Sequence, residues 1–376
     1  MIRQFINGAQ AIAQGAVSAG CNFFAGYPIT PATPILHHMF RELPKIGGVA
    51  IQGEDEIASI GMCIGAAMTG ATCMTATSGP GMSLYSENVG LAIMGEVPLV
   101  IIDVMRLGPA TGGATTVGQG DIQFARWGTA GGYPIIALCP TNPSECYSLT
   151  IRAFKLAKRY RCPVFLLTDR EVVATMSTIE SDGDNEAKSD AGDEGLREPD
   201  PFVPYLIHEL SDVPFLSPYG GKNIVRFTGS THDESGFLTK NPEKVGRLNA
   251  HLAAKIDKHS QEFEIVTSDT QEGARTLLVS YGISARSSLE ATRLLRQKGL
   301  KISNLIIHSL WPVPTNSITK TLAGIKRIVV PELNLGQYKI EVERVAHRID
   351  NGIGVIGINR IDGELITPQQ IMEAVT

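Results

Sequence analysis

Residues 72–104 read TCMTATSGPGMSLYSENVGLAIMGEVPLVIIDV, and this stretch decides the fold. Residues 72–76 and 98–104 are short apolar runs with turn residues at their ends, and residues 81–94 between them form a helix-like segment. Two strands apolar throughout, joined by a helix, are the repeating unit of a parallel sheet covered on both faces. The same alternation extends outward, with strands at 21–25, 48–52, 134–138 and 163–167 and helices at 8–19, 34–41, 55–69 and 143–159. Residues 1–176 therefore read as one α/β domain. From 274 the pattern resumes: strands at 276–280, 301–308, 327–330 and 355–359, helices at 285–298, 315–322, 337–350 and 368–375. Residues 271–376 read as a second α/β domain, large enough for its own core.

Residues 177–270 between them are irregular, with one helix-like stretch at 241–259, and read as a connecting arm. Inside the arm, residues 180–201 hold nine acids against Lys188 and Arg197, a local charge of −7 with almost no apolar side chain. Burial there cannot offset ordering entropy, so a surface loop is expected. The whole chain has 376 residues and a net charge of −5, so the remainder carries +2 and nothing asks for nucleic acid. The longest apolar runs are strand-sized, far short of the roughly 20 residues that cross a bilayer. The six cysteines (Cys21, Cys63, Cys73, Cys139, Cys146 and Cys162) stand in no Cys-x-x-Cys spacing, which excludes a self-contained zinc ribbon or ferredoxin-type cluster. Buried thiols in the cytoplasm are the expectation.

In parallel α/β sheets, ligands lie beyond the carboxyl ends of the strands, so the loops after the strands carry the chemistry. Gly26-Tyr27-Pro28-Ile29-Thr30-Pro31 follows the first strand, two prolines fixing a turn around one hydroxyl. Gly53-Glu54-Asp55-Glu56 opens a helix with three acids in a row, more than capping requires. Thr75-Ala76-Thr77-Ser78-Gly79-Pro80-Gly81 is a small-residue turn that lets backbone approach a ligand; it has neither the lysine of a P-loop nor the Gly-x-Ser-x-Gly of a hydrolase elbow. Arg106 stands on a glycine- and hydroxyl-rich loop reaching Thr115, suited to grasping a carboxylate. His37-His38 and His232-Asp233-Glu234 lack zincin spacing, and Asp182-Gly183-Asp184-Asn185 has no strand before it, so no metal site is expected.

Together these loops, with Gln119-Gly120-Asp121, Ala125-Arg126-Trp127-Gly128, Phe227-Thr228-Gly229-Ser230-Thr231-His232-Asp233-Glu234 and Pro331-Glu332-x-Asn334-x-Gly336-Gln337, resemble the α subunit of 2-oxoacid:ferredoxin oxidoreductases, the 2-oxoglutarate type most closely. The resemblance covers nearly the whole chain. It implies a thiamine-diphosphate pyrimidine-type domain with a parallel sheet, followed by a transketolase C-terminal-like α/β domain. It places Glu56 at the cofactor's pyrimidine N1′, where an acid shares the proton that activates the cofactor. It puts Thr30, Arg106 and Thr115 on the substrate's carboxylate and oxo groups, and Tyr27, Pro28, Ile29 and Ser78 beside the cofactor. The arginine loop departs from the usual Arg-Gly-Gly-Pro-Ser-Thr-Gly-Leu-Pro-Thr pattern at Leu107, Ala110, Gly113 and Ala114. The resemblance also implies CoA-dependent oxidative decarboxylation of a 2-oxoacid, with 2-oxoglutarate the first choice and ferredoxin as acceptor. Mg2+ and a 4Fe–4S cluster are expected in a partner β subunit, in an αβ or (αβ)2 assembly. The same family acting on pyruvate or branched-chain 2-oxoacids, or a non-catalytic scaffold subunit, are the alternatives.

Overall fold

The computed structural model describes residues 2–181 and 198–376, so most of the acidic stretch at 180–201 lies outside the described residues. The strands in chain order are β1 (Ile2–Asn7), β2 (Phe23–Gly26), β3 (Val49–Gln52), β4 (Cys73–Thr77), β5 (Leu99–Met105), β6 (Ile136–Leu138), β7 (Pro163–Asp169), β8 (Met176–Ser181), β9 (Val266–Asp269), β10 (Thr276–Ser280), β11 (Ile302–Ile307), β12 (Ser309–Trp311), β13 (Arg327–Glu332) and β14 (Gly354–Asn359). The helices are α1 (Gly8–Ser18), α2 (Thr33–Glu42), α3 (Glu56–Met68), α4 (Gly79–Met94), α5 (Ile122–Trp127), α6 (Pro143–Tyr160), α7 (Arg170–Ala174), α8 (Pro242–Asp257), α9 (Ser284–Gln297), α10 (Thr315–Thr321), α11 (Lys339–Ile349) and α12 (Pro368–Val375).

The first sheet has seven strands in the order β12-β6-β7-β5-β4-β2-β3, all parallel except β12. Its central strands β4, β5 and β7 are buried at every residue, as their unbroken apolar sequence requires when helices cover both faces. The strand order reverses at β2, which has β3 on one side and β4 on the other. That reversal splays the loops after β2 and β4 apart and opens a crevice, the usual ligand position in this architecture. Helix α6 shows how local sequence sets the frame. Asn142 caps it by accepting the Glu145 amide, Pro143 occupies its first turn, and Arg161 ends it in a left-handed conformation.

The second sheet has the order β14-β13-β10-β11-β9 and is parallel apart from β9. Four strands do not appear in the sequence reading. β1 and β8 pair antiparallel as a separate ribbon, β9 is mostly exposed, and β12 is three residues long. β9 comes from the stretch read as the arm yet joins the second sheet, and β12 follows β11 yet joins the first. Trp311 on β12 donates its indole N–H to the Ile122 carbonyl at 3.1 Å.

The arm is fastened by a buried ion cluster. Glu96, with a positive φ of 52°, accepts hydrogen bonds from Lys255 and His251 on α8, and Arg161 donates to its carbonyl. Burial alone would raise the Glu96 carboxyl; Lys255, His251 and Arg161 outweigh it and hold the group below the usual carboxylate range. Among the described residues, no helix is long and apolar enough to cross a membrane.

Candidate active site

Of the three consecutive acids, burial separates one. Glu54 and Asp55 are exposed, while Glu56 is only 7% exposed. Asp55 is the N-cap of α3 and accepts the Ala58 amide at 2.7 Å, which satisfies the helix start and leaves Glu56 free of capping work. No hydrogen bond within the described residues occupies the Glu56 carboxylate. Its neighbour is the first turn of α4, where a Cβ added at Gly81 would stand 2.8 Å from Glu56 Cγ, 3.1 Å from its Oε1 and 1.9 Å from Thr77 Oγ1. Glycine at 81 is what lets the carboxylate and the helix approach. Ser78, the N-cap of α4, is fully buried with a hydroxyl that has no partner among the described residues.

Arg106 follows β5 and is 7% exposed. It donates from Nη1 to the Thr30 carbonyl, while its buried Nε has no partner among the described residues. The β2 loop and the arginine loop are thereby joined. Tyr27 and Thr30 are exposed, and Pro28 and Ile29 are half-buried. Thr115 is exposed, and no hydrogen bond connects it to Arg106 or Thr30 among the described residues. Two of the four departures in this loop, Leu107 and Gly113, have a packing reason. A Cβ at Gly113 would lie 1.6 Å from Thr116 Oγ1 and 3.3 Å from Leu107 Cδ2, and Leu107 also lies 3.5 Å from the Cβ position of Gly363 in the second part of the chain. Leu107 and Gly113 thus fit together in a tight return, closed by hydrogen bonds from Gly113 to Leu107 and from Leu107 to Thr116.

The sequence reading named the Gln119-Gly120-Asp121 motif without a role. Gln119 and Leu333 exchange hydrogen bonds through both backbone and side chain, Asn334 donates to the Gln119 carbonyl at 2.8 Å, and Gln337 donates to the Gly120 carbonyl at 2.7 Å. Tyr281 donates to Glu332, which also accepts the Tyr338 and Lys339 amides, so this clamp is itself rigidly held. The loop it grips places both carboxylate oxygens of Asp121 at 3.2 Å from the Cβ position of Gly79, against the first turn of α4. Asp103 on β5 is fully buried, and neither of its oxygens has a hydrogen-bond partner of good geometry among the described residues. Burial, then the facing Asp121, pushes its carboxyl well above the usual range. Burial likewise pushes Asp121 up to about 6, with Asp103 and Arg106 pulling the other way. Asp103 was hidden to sequence reading inside an apolar strand.

The fit to a thiamine cofactor can be judged from the chain itself. A buried carboxylate without an internal partner, an orphaned Ser78 hydroxyl, an orphaned Arg106 Nε and exposed Thr30 and Tyr27 stand on the loops and helix starts around the sheet's reversal. Polar groups so placed suit an anionic heterocyclic ligand with its own hydrogen-bonding edge. All six cysteines are free and buried, and burial pushes their thiols upward, away from the thiolate form that ligates metals.

Residues 14–249 match the family described as pyruvate flavodoxin/ferredoxin oxidoreductase, thiamine diP-bdg, and residues 274–371 match pyruvate:ferredoxin oxidoreductase core domain II. The chain is 42% identical to the 2-oxoglutarate synthase subunit KorA of Methanocaldococcus jannaschii, covering 99% of both chains. It is 32% identical to the ketoisovalerate oxidoreductase subunit VorB of Methanothermobacter thermautotrophicus, over 100% of this chain and 97% of that one. Among solved structures, 2-oxoglutarate:ferredoxin oxidoreductase from Magnetococcus marinus, with 2-oxoglutarate, coenzyme A and succinyl-CoA bound, superposes with a TM-score of 0.89 at 30% identity, covering 99% of this chain and 64% of the other.

Proposed function

Because the chain belongs to the pyruvate flavodoxin/ferredoxin oxidoreductase family, we propose that it is the α-type subunit of a 2-oxoglutarate:ferredoxin oxidoreductase. Working within a multi-subunit enzyme, it takes part in converting 2-oxoglutarate and CoA to succinyl-CoA and CO2, and the two electrons pass to ferredoxin. The observation that carries the catalytic reading is Glu56, a buried acid with no hydrogen-bond partner among the described residues, packed on the glycine turn of α4. The choice of acid follows the full-length likeness, 42% to a 2-oxoglutarate synthase subunit against 32% to a ketoisovalerate one.

Thiamine diphosphate, when bound, supplies the electron sink that decarboxylation of a 2-oxoacid needs. Glu56 then holds the proton at the pyrimidine N1′. Its burial strengthens that hydrogen bond by keeping water from competing. Tyr27, Pro28, Ile29 and Ser78 line the cofactor, and Arg106 with Thr30 and Thr115 orients the substrate's carboxylate and oxo groups. We assign Mg2+ and the 4Fe–4S cluster to a β partner, in an αβ or (αβ)2 assembly in the cytoplasm. The division at 1–176, 177–270 and 271–376 belongs to the same reading, the middle segment lending β9 to the second sheet.

The test is Glu56→Gln in the complex with its partner, followed by viologen-dye reduction with 2-oxoglutarate and CoA. Loss of turnover by orders of magnitude is expected. Intact turnover would make the chain a scaffold, and a much faster rate with pyruvate than with 2-oxoglutarate would overturn the substrate assignment.

A further inference from the structure

We propose that Asp121, paired with Asp103, is an affinity-setting charge of the Arg106 site: a largely buried unit of two carboxyls and one proton whose single negative charge sets how strongly Arg106 attracts the 2-oxoacid carboxylate. The proposal rests on the reading of Arg106 given above.

Four placements carry it. Asp103 is fully buried on β5, three residues before Arg106, without a hydrogen-bond donor of good geometry for either oxygen among the described residues. A lone ionised carboxylate is not stable in such a place; two facing carboxyls solve the problem by sharing a proton. Asp121 faces it from the clamped loop and leans on Gly79, where the positive end of the 16-residue helix α4 favours an anion. Asp121 therefore keeps the negative charge and Asp103 the proton. Among the described residues Arg106 has one hydrogen-bond acceptor, the Thr30 carbonyl, and its buried Nε is unpaired, so the guanidinium keeps donor capacity for a ligand while Asp121 acts on it electrostatically.

The surroundings leave few other groups to do this. Asp103 on β5 stands in register with Thr77 on β4, two residues before Gly79. Asp121 packs against Gly79, with its Oδ2 likewise buried and without a hydrogen-bond partner among the described residues. Both acids thus meet at the turn from β4 to α4, and the loop after β5 brings Arg106. The first turn of α4, Gly79 to Met82, carries no titratable side chain, and Glu56 stands on its far side at Gly81. Asp169 is one hydrogen bond further out, through Gln119, and Glu332 is reached only through Tyr281 and Asn334. The residues that grip the loop, Gln119, Asn334 and Gln337, are neutral. The second part of the chain thus acts on the site by fixing where one negative charge stands.

The sign follows directly. As pH falls through the Asp121 titration, near 6, the anion is neutralised and the field of Arg106 is less offset. The substrate's carboxylates stay ionised there, so its KM falls. Unit charges within one site, interacting at an effective dielectric of about 20, correspond to a change on the order of tenfold.

The first measurement needs no activity: 13C NMR of the full chain labelled at aspartate carboxyls. One carboxyl should titrate near 6 and the other should hold its proton to higher pH; Asp121→Asn should lose the first signal and move the second, and Asp103→Asn should lose the second and leave the first near 6. The second is KM for 2-oxoglutarate against pH in the assembled enzyme. The native enzyme should show the roughly tenfold fall toward acid, Asp121→Asn a low KM without the step, and Asp103→Ala a step moved to higher pH. Asp103→Asn keeps a donor beside Asp121 and should keep the step. Two ionised carboxyls at neutral pH would overturn the pair. An unchanged KM step in Asp121→Asn, with the pair present by NMR, would overturn its coupling to the substrate. A KM indifferent to Arg106→Lys would instead fault the assignment of Arg106.

Discussion

Replacing Gly81 by alanine isolates the contact on which the placement of Glu56 depends. The new methyl would stand 2.8 Å from Glu56 Cγ and 1.9 Å from Thr77 Oγ1. Carbon atoms in contact rest at about 3.5–4.0 Å, so Glu56 must retreat by about 1 Å. Overpacking of this kind costs roughly 1–3 kcal/mol, and alanine returns roughly 0.5–1 kcal/mol over glycine within a helix. Net destabilisation is therefore modest, at most about 2.5 kcal/mol. The effect on rate is larger, because a displacement of about 1 Å at a reacting centre costs on the order of 100-fold. Urea unfolding of the chain and dye reduction by the assembled complex separate the two. Adding Thr77→Ala relieves the hydroxyl collision but leaves the Glu56 contact, so stability should recover and kcat should not. A Gly81→Ala enzyme whose kcat stays within threefold of the native value, or a double variant that regains full kcat, would refute the placement of Glu56 against α4.

Two further outcomes are expected. Arg106→Lys keeps a positive charge but loses the planar fork and the bond to Thr30; KM for the 2-oxoacid should rise about tenfold or more with a smaller change in kcat, read from steady-state rates. Lys255→Met leaves Glu96 buried without its strongest partner and should cost about 3–5 kcal/mol by urea unfolding at neutral pH. The native Glu96 pKa is depressed, so its contribution is present above the unfolded carboxylate value of about 4.3 and is lost as pH falls below it. The native chain should lose urea resistance from this group on acidification and the variant should lose less; equal losses would remove Glu96 from the account.

The parallel frame was legible because its central strands are mostly apolar and carry no alternation of polar residues. Nothing but burial on both faces explains runs such as β5 and β7, and their bounds came within one or two residues of the expected ones. What escaped were elements whose identity depends on remote partners. β12 has three residues and exists only because β6 has a free edge beside it. β1 and β8 hold each other across most of the first domain. The site divided in the same way. Glu56, Arg106 and Thr30 could be singled out as chemical types in loops after strands, but that only Glu56 of its acidic run is buried depends on Asp55 taking the cap and on glycine at 81.

Asp103 gives the physical limit of such reading. In sequence it is one acid in an apolar strand, a defect in the pattern with no partner nearby. Its partner lies eighteen positions later, on a loop held by residues more than two hundred positions further on, and only that grip turns two unfavourable buried acids into one stable unit. A charge of this kind is tolerated because three contributions converge: the shared proton, the amide end of α4, and the nearby guanidinium of Arg106. Removing the clamp should therefore act on the pair before it acts on the fold. The clamp motif Pro331-Glu332-x-Asn334-x-Gly336-Gln337 bears no reacting group, yet it decides where the field around the substrate arginine comes from.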